Sequence, residues 1–205
     1  MGDLVNAGDV RVRRAVEADV ERLWEMCRDQ TEAEFCLWGA DLVYEYPPVK
    51  EQMRRRFNAL SGDTAVFAAE MGGRVIGFAE IGDMRERRPP GEAASREGPG
   101  EAAERVGLRK AAPKNSGKSG VLSRVILEKD LRGRGYGCAL VRGVLDCAAA
   151  QLGLEEAALI VYAHNRRAQS CYEACGFVRG EALLRPGRPD AYWMRAELPG
   201  RPVCK

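Results

Sequence analysis

Histidine is nearly missing from this chain: His164 is the single imidazole among 205 residues, which excludes a multi-histidine metal centre within one chain. No run of 18 apolar residues occurs, and the opening MGDLVNAGDVRVRR has no apolar stretch of the secretory type, so neither a membrane span nor a secretion signal is expected. An excess of one charge is missing as well. With 32 Lys and Arg against 30 Asp and Glu the formal net charge is +2, too small a field for a protein that wraps nucleic acid. C-x-x-C pairs are also absent. The seven cysteines, Cys27, Cys36, Cys138, Cys147, Cys171, Cys175 and Cys204, are odd in number, which indicates reduced thiols rather than a disulfide framework or a zinc knuckle. Cys171 and Cys175 stand four apart and could share a helix face, but no third ligand at metal spacing joins them in the sequence. These absences point to a soluble cytoplasmic protein with no metal, no nucleic acid and no membrane among its partners.

What is present is enough apolar material, 45% of residues, for one sizeable core in a single domain. Residues 10–13 alternate as a short strand. Val20, Leu23, Trp24 and Cys27 form a helical stripe behind acidic Glu17, Asp19 and Glu21. Residues 35–46 mix aromatic and polar groups and stop at Pro47-Pro48, after which EQMRRRFNAL reads as a basic helix. Residues 64–71 and 74–81 are β-prone and joined by Gly72-Gly73, the clearest hairpin in the chain.

Residues 83–119 change character. Of these 37 residues 15 are charged and nine are Gly or Pro, with Val106 and Leu108 the only branched apolar side chains. Such a stretch buries too little to offset its ordering entropy, and it reads as a flexible insertion with one short helix near 101–108. Order resumes with a strand at 121–127, a helix with Leu140, Val141, Val144, Leu145, Ala148 and Leu152 on its buried face, and a strand at 157–162. A helix capped by Asn165 and stopped by Gly176 follows, then strands at 177–182 and 191–198 around a turn near Pro186-Gly187. The order β, two helices, three strands, helix, strand, helix, two strands describes a mixed α/β domain.

The segment Arg132-Gly133-Arg134-Gly135-Tyr136-Gly137 lies between a strand and the first turn of a helix. Unpaired amides and the helix dipole favour an anion there, and glycines let the main chain approach a diphosphate. A glycine-rich turn with solvated arginines is the plainer alternative. Two better known nucleotide motifs fail: a G-x-G-x-x-G frame from Gly133 meets Cys138, and Gly117-Lys118-Ser119 has Ala112 where a phosphate loop needs glycine.

The RGRGYG turn resembles the [QR]-x-x-G-x-[GA] signature of the GNAT superfamily of acyl-CoA-dependent N-acyltransferases. The segment from 163 to 177 is similar to that family's N-x-x-A-x-x-x-Y-x-x-x-G-F stretch, with Asn165, Ala168, Tyr172, Gly176 and Phe177 in place. The resemblance implies a single-domain α/β fold over 9–198, with a mixed central sheet of about seven strands, about four flanking helices and a tail at 199–205. It also implies an N-acetyltransferase that takes acetyl-CoA as acyl donor and uses no metal.

Carried onto this chain, it implies that the pantetheine arm of coenzyme A pairs with Val125, Ile126 and Leu127 and that amides from Arg132 to Gly137 hold the pyrophosphate. Asn165 contacts the arm or caps its helix, and Tyr172 sits near the sulfur. An amine then attacks the thioester directly, so positioning is the main task. Leu127 N–H could stabilise the oxyanion and Tyr172 could protonate the thiolate, unless Tyr172 is simply a core aromatic. Glu80 shares strand parity with Ile76 and Phe78 and is the candidate base on an apolar face, the alternative being a solvated carboxylate. Some family members carry a glutamate at the position of Val121.

Trp38, Tyr44 and Tyr46, with Glu34, Asp41 and Glu45 nearby in sequence, form either a pocket for a cationic amine or a packed loop. Arg54-Arg55-Arg56 reads as a solvated helix face or a contact for the CoA 3′-phosphate or an acidic partner. The acceptor is a primary amine of a small molecule or protein N-terminus, and a homodimer stays open. The alternative function is a CoA-binding sensor without turnover.

Overall fold

The computed structural model describes residues 10–60, 64–83, 118–184 and 189–198. The insertion expected at 83–119 lies outside the described residues except at its ends, where Asp83 closes one strand and Ser119 opens the next; the short helix expected near 101–108, the turn at Pro186-Gly187 and the tail at 199–205 also lie outside them.

Seven strands form one sheet in the order β1-β2-β3-β4-β5-β7-β6: β1 Arg11–Arg14, β2 Thr64–Met71, β3 Arg74–Asp83, β4 Ser119–Leu127, β5 Glu156–Tyr162, β6 Val178–Leu183 and β7 Ala191–Glu197. The expected mixed sheet of seven strands is therefore present. Gly72 and Gly73 adopt φ of 57° and 76°, the paired left-handed conformation that a tight hairpin between β2 and β3 requires. β2 is apolar on both faces because both are covered. Ala65, Phe67 and Ala69 join one core cluster and Val66 and Ala68 the other, which is why its sequence does not alternate.

The helices among the described residues are α1 Val20–Arg28, α2 Glu32–Leu37, α3 Lys50–Ala59, α4 Tyr136–Cys147 and α5 Arg166–Ala174. The sequence pattern indicated four; the fifth is α2, a turn and a half whose aromatic content hid a capping box. Thr31 Oγ1 accepts from Glu34 N–H at 3.3 Å, while Glu34 Oε2 accepts from Thr31 N–H at 3.0 Å. Together they satisfy donors on either side of the helix start.

Phe35, Met53 and Val20 from α2, α3 and α1 pack against Phe78 and Ile126 on one face of the sheet. On the other face, the anticipated stripe Leu140, Val141, Val144 and Leu145 of α4 covers Phe67, Ile76 and Ile81. Gly143 lets α4 ride close to β1, since a Cβ there would stand 2.4 Å from Val12 Cγ2. Lys118, the lysine of the failed phosphate-loop reading, donates to the Leu152 carbonyl at 2.9 Å and so ties the end of the α4 segment to the start of β4.

The connection through α4 makes β4 and β5 parallel, the only parallel pair in this sheet. They stay paired only at Ser119↔Glu156, Gly120↔Ala157 and Val121↔Ala158. Beyond that they part. β4 also carries a bulge: Phe78 faces Ile126 while Glu80 faces Ser123, so two steps along β3 match three along β4. Arg124 occupies the bulge at φ 51°, a left-handed conformation uncommon outside glycine.

Candidate active site

The separation of β4 from β5 leaves one edge of β4 open along Leu122–Leu127, in front of the N-terminus of α4. Glu128 N–H donates back to Ile76 on β3 at 3.0 Å, so the alternation of an extended strand turns Leu127 N–H toward the open side. Val125, Ile126 and Leu127 lie along this edge. Ile126 and Leu127 bury their side chains, and Val125 is partly buried. What the edge offers a ligand is main chain of Val125 and Leu127, since by the same alternation Ile126 turns its main-chain groups to Phe78 on β3.

At the helix mouth Gly133 and Gly135 take φ of 78° and 88°, and a Cβ at either would meet nothing within 4 Å. The open space shows that the glycines answer to backbone conformation and to access, not to a crowding neighbour. Ala139 N–H is the first in the turn to find a carbonyl, that of Gly135 at 3.1 Å. Among the described residues the amides of Gly133, Arg134, Gly135, Tyr136 and Gly137 have no main-chain acceptor, which is the setting for a bound anion. The Tyr136 side chain is buried in the core, so only its amide faces the mouth.

Arg132 differs from expectation. Its N–H closes a turn onto Lys129 at 3.2 Å, and its guanidinium is turned away from the mouth. Nε donates to the Leu127 carbonyl at 3.1 Å, Nη1 to Glu34 Oε1 at 2.8 Å and Nη2 to Gln30 Oε1 at 2.7 Å. Arg132 thus fastens the end of β4 to α2 and to the connection that precedes it, and the amides without a main-chain acceptor begin at Gly133. Three acceptors inside the fold, a carboxylate among them, outweigh an exposed anion site for a planar guanidinium. Backbone donation from Thr31, reinforced by Arg132, holds the Glu34 carboxyl down to about 2.

Of the two roles open for Asn165, the structure assigns the cap: its Oδ1 accepts from Ala168 N–H at 3.2 Å at the start of α5. Tyr172, one turn further on, packs edge-on against Phe177 with ring centroids 5.8 Å apart. Burial raises the proton affinity of its hydroxyl above the ordinary tyrosine range, so the group is a phenol rather than a phenolate at neutral pH.

A small, partly open cleft with a cavity of about 30 Å³ lies on the α1–α3 side of the sheet, lined by Trp38, Tyr44, Leu23, Phe78, Glu80 and Arg124 among others. Trp38 and Tyr44 come together there as the sequence indicated. Tyr46 does not: its ring packs on Phe35 at 5.4 Å, its hydroxyl donates to the Gln30 carbonyl at 3.2 Å, and it is largely exposed. Glu34 is committed to Arg132 and Lys129, and Glu80 is the single carboxylate in the lining.

Glu80 is buried, but not on an apolar face. Arg56 Nη2 donates to its Oε1 at 2.8 Å and Arg124 Nε to its Oε2 at 2.9 Å, with Arg124 Nη2 also on Oε1. Two guanidiniums compete with any proton for the same lone pairs, which argues against the general base expected here. Strand parity located Glu80 correctly on a buried face but could not reveal its partners. Arg124 reaches it only because of the bulge, and Arg56 comes from a basic run that resembled a solvated face. Arg54 and Arg55 do behave as expected, pairing with Glu51 at the surface.

No curated protein matches the sequence. The structure of AAC(6')-Ib in complex with ribostamycin and coenzyme A is similar at a TM-score of 0.65 and 19% identity, covering 92% of this chain and 93% of that one. Spermidine N-acetyltransferase from Vibrio cholerae, in complex with CoA and spermine, aligns at a TM-score of 0.64 and 17% identity over 93% of this chain and 96% of its own. At these identities the likeness is one of fold. The model of the Acetyltransferase (GNAT) family matches residues 23–177, a span that holds the opened β4 edge, the α4 mouth and Tyr172. The chain belongs to the GNAT acetyltransferase family.

Proposed function

We propose that this protein transfers the acetyl group of acetyl-CoA to a primary amine by direct attack within a ternary complex. The observation that supports this most is the parting of β4 from β5 after Val121↔Ala158, directly before a helix mouth with two left-handed glycines and open space around them. The open strand edge at Val125 and Leu127 would pair with the amide-rich pantetheine arm, with Ile126 holding the strand to β3 between them, and the amides of Gly133 to Gly137 would hold the diphosphate. Both solved neighbours carry coenzyme A, which agrees with that cleft.

The thioester carbonyl then lies near Leu127 N–H, a fixed donor for the developing oxyanion that needs no reorganisation during the reaction. Tyr172, kept protonated by burial, supplies a proton to the departing thiolate. Freeing a lysine-like amine of its proton at pH 7 costs about 4.6 kcal/mol. With Glu80 occupied by Arg56 and Arg124, water is the acceptor of that proton, or the amine enters already neutral.

Charge in the acceptor cleft favours one kind of amine. Glu80 is outweighed by Arg56 and Arg124, so we infer an acceptor whose amine sits beside neutral or acidic groups, such as an acidic peptide N-terminus, in preference to a polycation. Release of free thiol from acetyl-CoA, followed across a panel of amines, peptides, aminoglycosides and polyamines, tests the activity. A second reading is a CoA-binding sensor without turnover, favoured by the engaged Glu80 and by Val121 where relatives can carry glutamate. Tight CoA binding with no thiol release on any acceptor would establish the sensor.

A further inference from the structure

Three cysteines that the acyl-transfer reading leaves unused meet between α4 and α5. Cys138 Sγ lies 3.3 Å from Cys171 Sγ, and the sulfurs of Cys138, Cys171 and Cys175 all fall within 4.8 Å of one another. All three thiols are free and partly buried. Cys171 lies in the last turn of α5 and Cys175 caps that helix four residues on, while Cys138 comes from the first turn of α4. Sequence spacing showed two of them; the third is added by helix packing. That packing is close enough for a Cβ on Gly137 to stand 3.6 Å from Cys171 Sγ.

We propose that Cys138, Cys171 and Cys175 form a three-sulfur site for a thiophilic ion of three-coordinate preference, trivalent arsenic or antimony foremost. A pyramidal ion with bonds to sulfur of about 2.3 Å needs its three sulfurs roughly 3.4 Å apart, close to the shortest separation here and inside the outer limit of the cluster. Small side-chain rotations suffice. Among the described residues no histidine or carboxylate joins the group, so a tetrahedral zinc site lacks its fourth protein ligand.

Charge separates the remaining candidates. Coordination of monovalent copper releases three protons and leaves three thiolates around a single positive charge, a doubly negative centre in a half-buried setting. Arg142, which donates to the Ala174 carbonyl at 2.6 Å, is the cation beside it, and one cation offsets only part of that charge. Arsenous acid instead condenses with three thiols. Three As–S bonds form, three As–O bonds break, the thiol protons leave with the hydroxyls as three waters, and neither arsenic nor sulfur changes oxidation state. The product is neutral. Occupancy would also clamp the first turn of α4 to the two residues that bracket Tyr172 in the α5 turn, so acyl transfer should slow; that consequence, unlike the site itself, rests on the proposed function.

The test is mass spectrometry of the intact protein incubated with arsenous acid, with monovalent copper and with zinc ion in separate arms. The expected adduct is one arsenic with loss of three hydrogens, and iodoacetamide mapping of the unmutated protein should show protection confined to Cys138, Cys171 and Cys175. Cys171→Ser should weaken arsenic binding at least tenfold, Cys147→Ser should leave it unchanged, and copper and zinc should bind less tightly. Absence of the adduct, protection spread over other cysteines, or zinc binding tighter than arsenic would overturn the proposal. Calorimetry with coenzyme A alone, run in parallel, reports the cleft separately, so failure of one site is distinguishable from failure of the other.

Discussion

Arg124 and Glu80 stand on neighbouring strands and join through two nitrogens and two oxygens, with Arg124 Nε 2.9 Å from Glu80 Oε2. The contact exists because β4 takes an additional residue at the bulge and Arg124 turns through a positive φ. Replacing Glu80 by Gln leaves two cations facing each other in a buried setting, and stability should fall by about 3 kcal/mol in urea titration. The acid limb of the pH–rate profile should stay where it is in the surviving folded enzyme. A limb that vanishes in Glu80→Gln would restore the carboxylate as base.

Tyr172→Phe keeps the ring against Phe177 and removes the proton donor. Turnover is expected to drop roughly 100-fold, in line with the loss of a general acid, with coenzyme A affinity unchanged by calorimetry. Because burial raises the hydroxyl above the ordinary tyrosine range, its protonated form persists as pH rises, and the wild-type rate should show no loss from this group below pH of about 10. An alkaline limb near neutrality that shifts in Tyr172→Phe would contradict the assignment.

Glu34 connects the α2 cap to Arg132 and titrates near 2 in the folded protein, against 4.5 when unperturbed. A depressed folded value means the stabilisation is complete above about pH 4.5 and disappears as pH falls toward 2. The carboxylate is partly solvated, so the effect should be near 1 kcal/mol. Urea midpoints of wild type and Glu34→Gln should differ at pH 6 and converge toward pH 2. Parallel curves throughout would remove the linkage.

Gly135 combines φ of 88° with empty surroundings. Valine there forces a β-branched residue into the left-handed region at a cost of about 1–2 kcal/mol and puts a side chain where the diphosphate should lie. Coenzyme A binding should weaken at least tenfold while the fold, followed by circular dichroism, survives. Unchanged affinity in a folded Gly135→Val protein would relocate the diphosphate.

Acceptor preference follows from the pairing of one carboxylate with two guanidiniums in the cleft. Peptides with acidic N-terminal residues should exceed spermine in kcat/KM by at least tenfold, and lowering the salt should widen the gap. Faster turnover on spermine at every ionic strength would reverse the charge argument.

Much of this fold could be read from the chain because its signals are local. The Gly72-Gly73 hairpin, the apolar stripe of α4 and the Asn165 cap each rest on residues a few positions apart. What escaped was decided by contacts distant in sequence. Arg132 belonged to a glycine-rich signature, yet its guanidinium is engaged by residues about 100 positions earlier. Tyr46 sat beside Tyr44 in an aromatic segment but packs on Phe35 instead of entering the cleft. Glu80 was placed on the buried side of its strand by parity, whereas the bulge that delivers Arg124 to it has no counterpart in a period-two pattern.

Only three residue pairs join β4 to β5, so the sheet is two antiparallel leaves held by a short seam. A pantetheine chain laid along Val125 to Leu127 would supply the missing rungs and act as a temporary eighth strand. Acyl donor binding would then close the seam as well as deliver the thioester. The empty protein should breathe along that line, exchanging its amide hydrogens fastest where the two leaves have least to hold them together.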